Sequence, residues 1–375
     1  MSTVVGLVKK LDVLGLLSAR EGQQIKNKVE VVEDNRQEQS GNPQDSNAEA
    51  IKTPLKHAID ERIVHKTVTS RDGLTLKCIY IPCTTPGKSK TILLCSPLGF
   101  CNIFAFRPII AKFGHEYSFI NWQYRSLFES DTPATLRRCS VRDHAEDALD
   151  VMNGLGYDSV DVMIGHSMGV SVCCEFALLY PDNVGSMVMI NGGHGHLFHT
   201  AFQPFFRIPF AGNISESIVN TLLNNNPKRV MQLLKDLGSN KSVESLLNFV
   251  GRKTGTPYMI SVQGEGFYNE WVQMYFGGLS SDDTSANSYC RMFQELNAHS
   301  TYHLLHLIQN KCLLISGGLD YLTPPYLMKE MSSKIPDSEY HCCFLSTHLT
   351  LMENPDFVLE KMENFLGLNQ ETSLN

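Results

Sequence analysis

The chain has 375 residues, 42% hydrophobic and 19% charged, with a formal net charge of −7 and 11 cysteines. That length holds one large domain with an insertion or two ordinary domains, and the apolar content supplies a sizeable core, which excludes bulk disorder. No basic stripe argues for nucleic acid as the main partner. Cysteines without CxxC spacing, two adjacent pairs of them in apolar runs, point to packed free thiols in a reducing compartment rather than disulfides or a zinc site.

The chain opens on Val4, Leu7, Val8, Leu11 and Leu14, which recur at helical spacing within residues 3–32. Residues 33–53 are polar, with Gly41 and Pro43 and almost no large apolar side chain, and read as a linker. Residues 1–53 are therefore expected to be a helical appendage and its tether. Lys9, Lys10 and Asp12 interrupt the apolar stretches, no small-residue cleavage site follows, and arginine is not enriched, so neither a secretory signal nor a transit peptide is expected. No apolar run approaches the roughly 20 residues of a membrane span. The expected location is cytoplasmic. Docking of residues 3–32 on the parent domain or a partner is preferred over peripheral membrane contact, because the polar face is not strongly basic.

From residue 54 the pattern becomes strand and helix. RIVHKTVTS and LTLKCIYIP flank Arg71, Asp72 and Gly73, a hairpin pattern. TILLCS (91–96), YSFINWQY (117–124), SVDVMIG (159–165), SMVMING (186–192) and KCLLISGG (311–318) are short continuous apolar runs, as strands covered on both faces require. SEYHCCFLS (338–346) supplies one more strand. Amphipathic helices are expected over 141–156, over 167–180 up to Pro181, and from Pro355 onward. Alternating strands and helices give an α/β class with a mostly parallel sheet. Residues 194–308 break the alternation, with helical pieces cut by Pro204, Pro209, Pro227 and Pro257. The expected organisation is a core of 54–193 and 309–375 with a helical cap inserted as 194–308.

GHSMG, Gly165 to Gly169, stands between a buried strand and a helix. It matches the G-x-S-x-G nucleophile elbow, whose sharp turn lifts the serine above the sheet and needs small neighbours two positions away. The other reading of Ser167 is a helix N-cap. A serine hydroxyl attacks at neutral pH only beside a general base, itself oriented by an acid. Asp320, beyond the strand KCLLISGG, and His348, beyond SEYHCCFLS, follow Ser167 in the chain order Ser, acid, His. Both stand at strand C-terminal ends, where open α/β sheets carry their sites.

With LLCSPLGF, INWQYRSLFESDTP, IGHSMG, ISGGLDYLTP and STHLTLMENPD, residues 60–368 resemble the α/β-hydrolase fold superfamily. The resemblance implies Ser167 as nucleophile, Asp320 as acid and His348 as base. It also implies an oxyanion hole from the backbone N–H groups of Met168 and Phe100. The family commonly has His-Gly after its first buried parallel strand, where this chain has Leu98 and Gly99. Where relatives carry Arg-Gly-x-Gly-x-Ser, Ser126 and Phe128 replace the glycines, so that loop is expected to be differently shaped and Arg125 structural. Val170 replaces a further glycine after the elbow and is read as packing. Relatives with epoxide hydrolase or haloalkane dehalogenase activity use Asp where this chain has Ser167, which disfavours those reactions.

The function implied is a serine hydrolase of carboxylic esters working through an acyl-enzyme. The aromatic content of 194–308 favours an apolar or lipid-like substrate. Thioester or amide hydrolysis, carbon–carbon bond hydrolysis, acyl transfer and perhydrolysis use the same three residues and remain alternatives, as does a non-catalytic binding protein on this fold. No cofactor and no metal are expected. His194, His196 and His199, and His299, His303 and His306 at one-face helical spacing, are read as structural rather than as metal ligands.

Overall fold

The computed structural model describes residues 55–87, 90–99, 103–200 and 283–368, with isolated positions between 217 and 262. The appendage and linker expected over 1–53, the backbone of Phe100, and most of the stretch expected as a cap lie outside the described residues.

In chain order the described elements are α1 (Leu55–Asp60), β1 (Val64–Thr69), β2 (Thr75–Ile81), β3 (Lys90–Cys95), α2 (Arg107–Phe113), β4 (Tyr117–Trp122) and α3 (Val141–Gly154). Then follow β5 (Val160–His166), α4 (Met168–Leu179), β6 (Val184–Ile190), α5 (Leu197–Thr200) and α6 (Asp283–Ala298). The chain closes with β7 (Lys311–Gly317), α7 (Pro325–Lys334), β8 (Ser338–Cys343), α8 (Thr350–Glu353) and α9 (Pro355–Phe365). The eight strands form one sheet in the order β1-β2-β4-β3-β5-β6-β7-β8. β1 pairs antiparallel with β2, and β2 with β4. Every other pair is parallel. The α/β class with a mostly parallel sheet is the one the alternation predicts.

The apolar runs are continuous because both faces of the sheet are covered. Leu93, Met163, Met187, Met189 and Leu314 point to one side, into a core shared with Val151, Met152, Val172 and Phe176 of α3 and α4. Ile92, Leu94, Ile164, Val188 and Ile315 point to the other, against Ile109 and Phe113 of α2 and Val358 and Met362 of α9. The strict side-to-side alternation is the period of two that a strand imposes. α3 starts on a capping box: Asp143 N–H donates to Ser140 Oγ, and Ser140 N–H donates to Asp143 Oδ2.

Two local outcomes differ from the sequence reading, and the structure adds detail to a third. α2 and α7 were not anticipated. α2 has seven residues with Pro108 second, and only Leu327, Met328 and Met331 of α7 are buried, so neither carries a long periodic stripe. α6 ends at Ala298, so His299, His303 and His306 do not share a helix face. The loop after β4 keeps positive φ where the family has glycine, at 67° for Ser126 and 55° for Phe128. It therefore holds the left-handed turn that glycine makes freely, and non-glycine side chains bear the strain. What holds it is Arg125, 1% exposed, whose guanidinium donates to the Asp147 and Asp72 carboxylates and to the Arg138 carbonyl. Arg125 is structural, as expected. No helix of the described residues is long and apolar enough to cross a membrane.

Candidate active site

The order β4-β3-β5 reverses direction across β3, because β3 connects outward to β4 and the chain then returns to place β5 on its other side. Ligand sites of open α/β sheets lie outside the strand ends at such a reversal. Ser167 is the single residue between β5 and α4. Its backbone takes φ 56° and ψ −117°, a region that non-glycine residues rarely occupy. Its N–H donates to the Ile190 carbonyl at 3.0 Å, and its side chain makes no capping bond. Ser167 stands at the N-cap position of α4 but does not cap it through its side chain.

The glycines around Ser167 let the chain turn. A Cβ on Gly165 would lie 2.4 Å from the Gly169 carbonyl oxygen, and one on Gly169 would lie 2.0 Å from the Cys95 carbonyl oxygen. Val170, fully buried, fills room that a third glycine provides from across the sheet. A Cβ on Gly192 would lie 2.4 Å from Val170 Cβ. The glycine missing after the elbow is thus matched by one after β6. Gly192→Ala is expected to destabilise by about 1–3 kcal/mol through overpacking. Adding Val170→Gly should recover most of that loss in urea unfolding, and strictly additive effects of the two changes would refute the contact.

Asp320 lies three residues beyond β7 and His348 five beyond β8. The structure brings both to Ser167. His348 Nε2 is 2.9 Å from Ser167 Oγ, and His348 Nδ1 is 2.9 Å from Asp320 Oδ2. The Asp320 side chain is fully buried, while that of His348 is 19% exposed, so the imidazole faces outward and its acid partner is shielded. Asp320 Oδ1 accepts from the N–H groups of Leu322 and Thr323, and Oδ2 accepts from Thr323 Oγ1 and Asn191 Nδ2. Burial works to raise the Asp320 pKa. The attraction of His348 and these donors outweigh it and hold the carboxyl below its ordinary value. Asp320 can therefore stay ionised and fix the imidazole with its proton on Nδ1, which leaves the Nε2 lone pair for the serine.

Met168, the first residue of α4, has an N–H with no acceptor inside the helix and stands at the positive end of the helix dipole. Phe100 falls outside the described residues, but the turn leading to it is pinned. Tyr124 Oη donates to the Ser96 carbonyl at 2.7 Å, and Asn121 Nδ2 donates to Ser96 Oγ at 2.9 Å.

Sequence reasoning missed four residues around this set. His166, buried beside the serine, lies with Nε2 3.0 Å from the His348 carbonyl, and burial first, then the charge of His348, lower its pKa to about 4. The neutral ring thus donates from Nε2. Glu353 accepts from Thr347 N–H and Thr347 Oγ1, directly before His348, and burial raises its pKa. Thr323 and Asn191 hold Asp320. Thr323 carried a signal: three residues after an aspartate is the reach of a side-chain turn closing on its own loop. The other three are single polar residues in apolar surroundings, with no local pattern to mark them.

The histidines set aside as metal ligands end elsewhere. His299 Nε2 is 3.1 Å from Glu175 Oε2, and His194 Nε2 is 3.4 Å from Glu330 Oε2. Among the described residues no group of three or more His, Cys, Asp or Glu is placed to hold a metal ion. A groove of about 510 Å³ opens on the edge strands, lined by Ile63, Thr67, Ile79, Arg107 and Gln123. None of Ser167, Asp320 and His348 lines it.

A strained serine at a strand–turn–helix junction, hydrogen-bonded to a histidine backed by a buried aspartate, defines a class of hydrolase site. A family model described as the alpha/beta hydrolase fold matches residues 124–355, and the chain belongs to that family. The proline iminopeptidase of Chitinophaga pinensis is 23% identical over 304 residues, covering 77% of this chain and 93% of that protein. Epoxide hydrolase 4 of Mus musculus is 28% identical over 147 residues, 36% of this chain, and the chain spans only 40% of that relative's length. Among solved structures, the enol-lactonase from Burkholderia xenovorans LB400 superposes with a TM-score of 0.59 at 16% identity, over 80% of this chain and 100% of that one. At that identity the likeness is one of fold.

Proposed function

We propose that the protein is a serine hydrolase that cleaves carboxylic esters through an acyl-enzyme. The observation that carries this reading is His348, which bridges Ser167 Oγ and Asp320 Oδ2 with 2.9 Å on each side. Ser167 Oγ attacks the ester carbonyl while His348 Nε2 takes its proton. The negative charge that develops on the carbonyl oxygen falls to the N–H of Met168, with Phe100 as the expected second donor. His348 then returns the proton to the leaving alcohol. Water, deprotonated by the same nitrogen, releases the acid. Asp320 stays ionised throughout and stabilises the imidazolium.

The apolar character of the substrate rests on sequence alone, on the aromatic content of residues 194–308 assigned to a cap. The relatives' names span peptide and epoxide cleavage, so family membership by itself does not choose the bond. Serine at 167 favours an acyl-enzyme. A fluorophosphonate probe should label the wild-type protein, and Ser167→Ala should abolish labelling without loss of the folded state. A folded wild-type protein that stays unlabelled sinks the reading. p-Nitrophenyl esters of graded acyl length then read the substrate class, with kcat/KM expected to rise with chain length.

A further inference from the structure

Asn191 directly follows β6, and the chemistry above makes no use of it. We propose that Asn191 is a positioning residue whose amide nitrogen ties the Asp320 loop to the His348 loop and so sets how the carboxylate meets the imidazole. The proposal rests on the reading of Ser167, His348 and Asp320 as the reacting set.

Asn191 Nδ2 lies 2.9 Å from Asp320 Oδ2 and 3.2 Å from the Thr347 carbonyl oxygen. Both partners only accept, so the nitrogen and not Oδ1 must face them, and its two hydrogens match two acceptors. The acceptors belong to different segments, one after β7 and one after β8, immediately before His348. Backbone bonds from Gly318 N–H to the Cys343 carbonyl and from Leu319 N–H to the Ser346 carbonyl join the same segments farther from the serine. Asn191 adds the tie at the reacting end.

The residue holds this place against two local penalties. Its backbone takes φ 48°, and its side chain is completely buried while Oδ1 meets no donor among the described residues. A glycine would relieve the backbone, and removing the amide would leave no stranded carbonyl. What only asparagine supplies is the pair of bonds from Nδ2. Strain and an unpaired buried group kept together at a strand end mark a site where function overrides local stability. Thr323 Oγ1 also donates to Asp320 Oδ2 and lies 3.2 Å from His348 Nδ1, but it belongs to the Asp320 loop itself and does not reach the Thr347 carbonyl. Two groups from other elements hold different atoms. His166 of β5 donates to the His348 carbonyl, and Glu353 of α8 accepts from Thr347. Of Asn191, His166 and Glu353, each outside the Asp320 loop, Asn191 is the one that touches the acid.

Asn191→Gly tests this, because glycine adopts the native φ without strain. The measurements are hydrolysis of p-nitrophenyl butyrate across pH, the fluorophosphonate labelling rate, and the far-downfield proton resonance of the Asp320–His348 hydrogen bond. The variant is expected to lose about 10- to 100-fold in kcat, with KM within about twofold, as a displaced reacting group does. The acidic limb of its pH profile and the downfield resonance should both move, which packing alone would not cause. Wild-type kcat, labelling rate and resonance in a folded variant overturn the proposal. A wild-type protein that neither labels nor turns over defeats the hydrolase reading instead, and the resonance then still decides whether Asn191 sets the couple. Should the glycine variant not fold, Asn191→Ser takes its place. One hydroxyl cannot donate to both acceptors, so an intermediate kcat is expected and a wild-type kcat overturns the proposal.

Discussion

Replacing His348 by alanine should lower kcat by about 10⁴–10⁶-fold while leaving a folded protein, since general bases of serine sites carry effects of that size. The structure makes the size specific. His348 Nε2 is the acceptor placed 2.9 Å from Ser167 Oγ, and the alternative bases are turned away. His166, whose ring packs against that of His348, spends Nε2 on the His348 carbonyl and is buried with its pKa lowered to about 4. Asp320 is fully buried behind His348. Among the described residues no other group is therefore placed to take over the proton. The His348 side chain is only 19% exposed and faces the buried Asp320 carboxylate, so its removal should also lower the melting temperature while the fold is kept. Asp320→Asn should cost less, about 10³–10⁴-fold, because the imidazole stays in place but loses the partner that fixes its tautomer. The penalty includes a clash of donors: an amide at 320 would turn one N–H toward groups that only donate, the N–H of Leu322 and Thr323 or the Nδ2 of Asn191. Ester turnover and probe labelling measure both. Retained turnover in His348→Ala removes His348 from its role.

The fold was legible because both faces of the sheet are covered. Runs such as TILLCS and SVDVMIG are then continuously apolar, and the helices between them carry a single stripe. The elbow was legible because its sterics leave a mark in composition: Gly165 and Gly169 are required by contacts of 2.4 and 2.0 Å. Asp320 and His348 were legible through their place after strands and their order in the chain. What escaped lacks a local pattern. Asn191, His166 and Glu353 act on partners more than a hundred residues away or through a backbone atom, and only three-dimensional proximity shows what they hold. At the loop after β4, Ser126 and Phe128 take the left-handed conformation, and Arg125 and its carboxylates hold the turn in place, which residue type alone does not reveal. Residue type reports the intrinsic preference of a position, and tertiary bonds can overrule it.

Gly169→Ala should be severely damaging, lowering stability by about 3 kcal/mol or more and activity at least 100-fold in whatever remains folded. The added Cβ would lie 2.0 Å from the Cys95 carbonyl oxygen and 2.7 Å from its carbon, both backbone atoms that cannot rotate away. Retreat of β3 is opposed from within the sheet. Leu93 and Leu94 are held in register with β4 and β5, and Asn121 Nδ2 donates to the Leu94 carbonyl at 2.8 Å. Retreat of α4 would carry Met168 and its free N–H away from the serine, so either movement disturbs the oxyanion donors. Gly156→Ala serves as the comparison. Gly156, unlike the helical Gly169, has a left-handed backbone, at φ 88°, and nothing lies within 4 Å of its Cβ position. That change carries conformational strain alone, about 1–2 kcal/mol, and should leave turnover unchanged. Urea unfolding and p-nitrophenyl ester hydrolysis of the two variants separate close contact from backbone strain. A Gly169→Ala protein as stable and active as Gly156→Ala would show that strand and helix do not meet at the elbow as closely as these distances require.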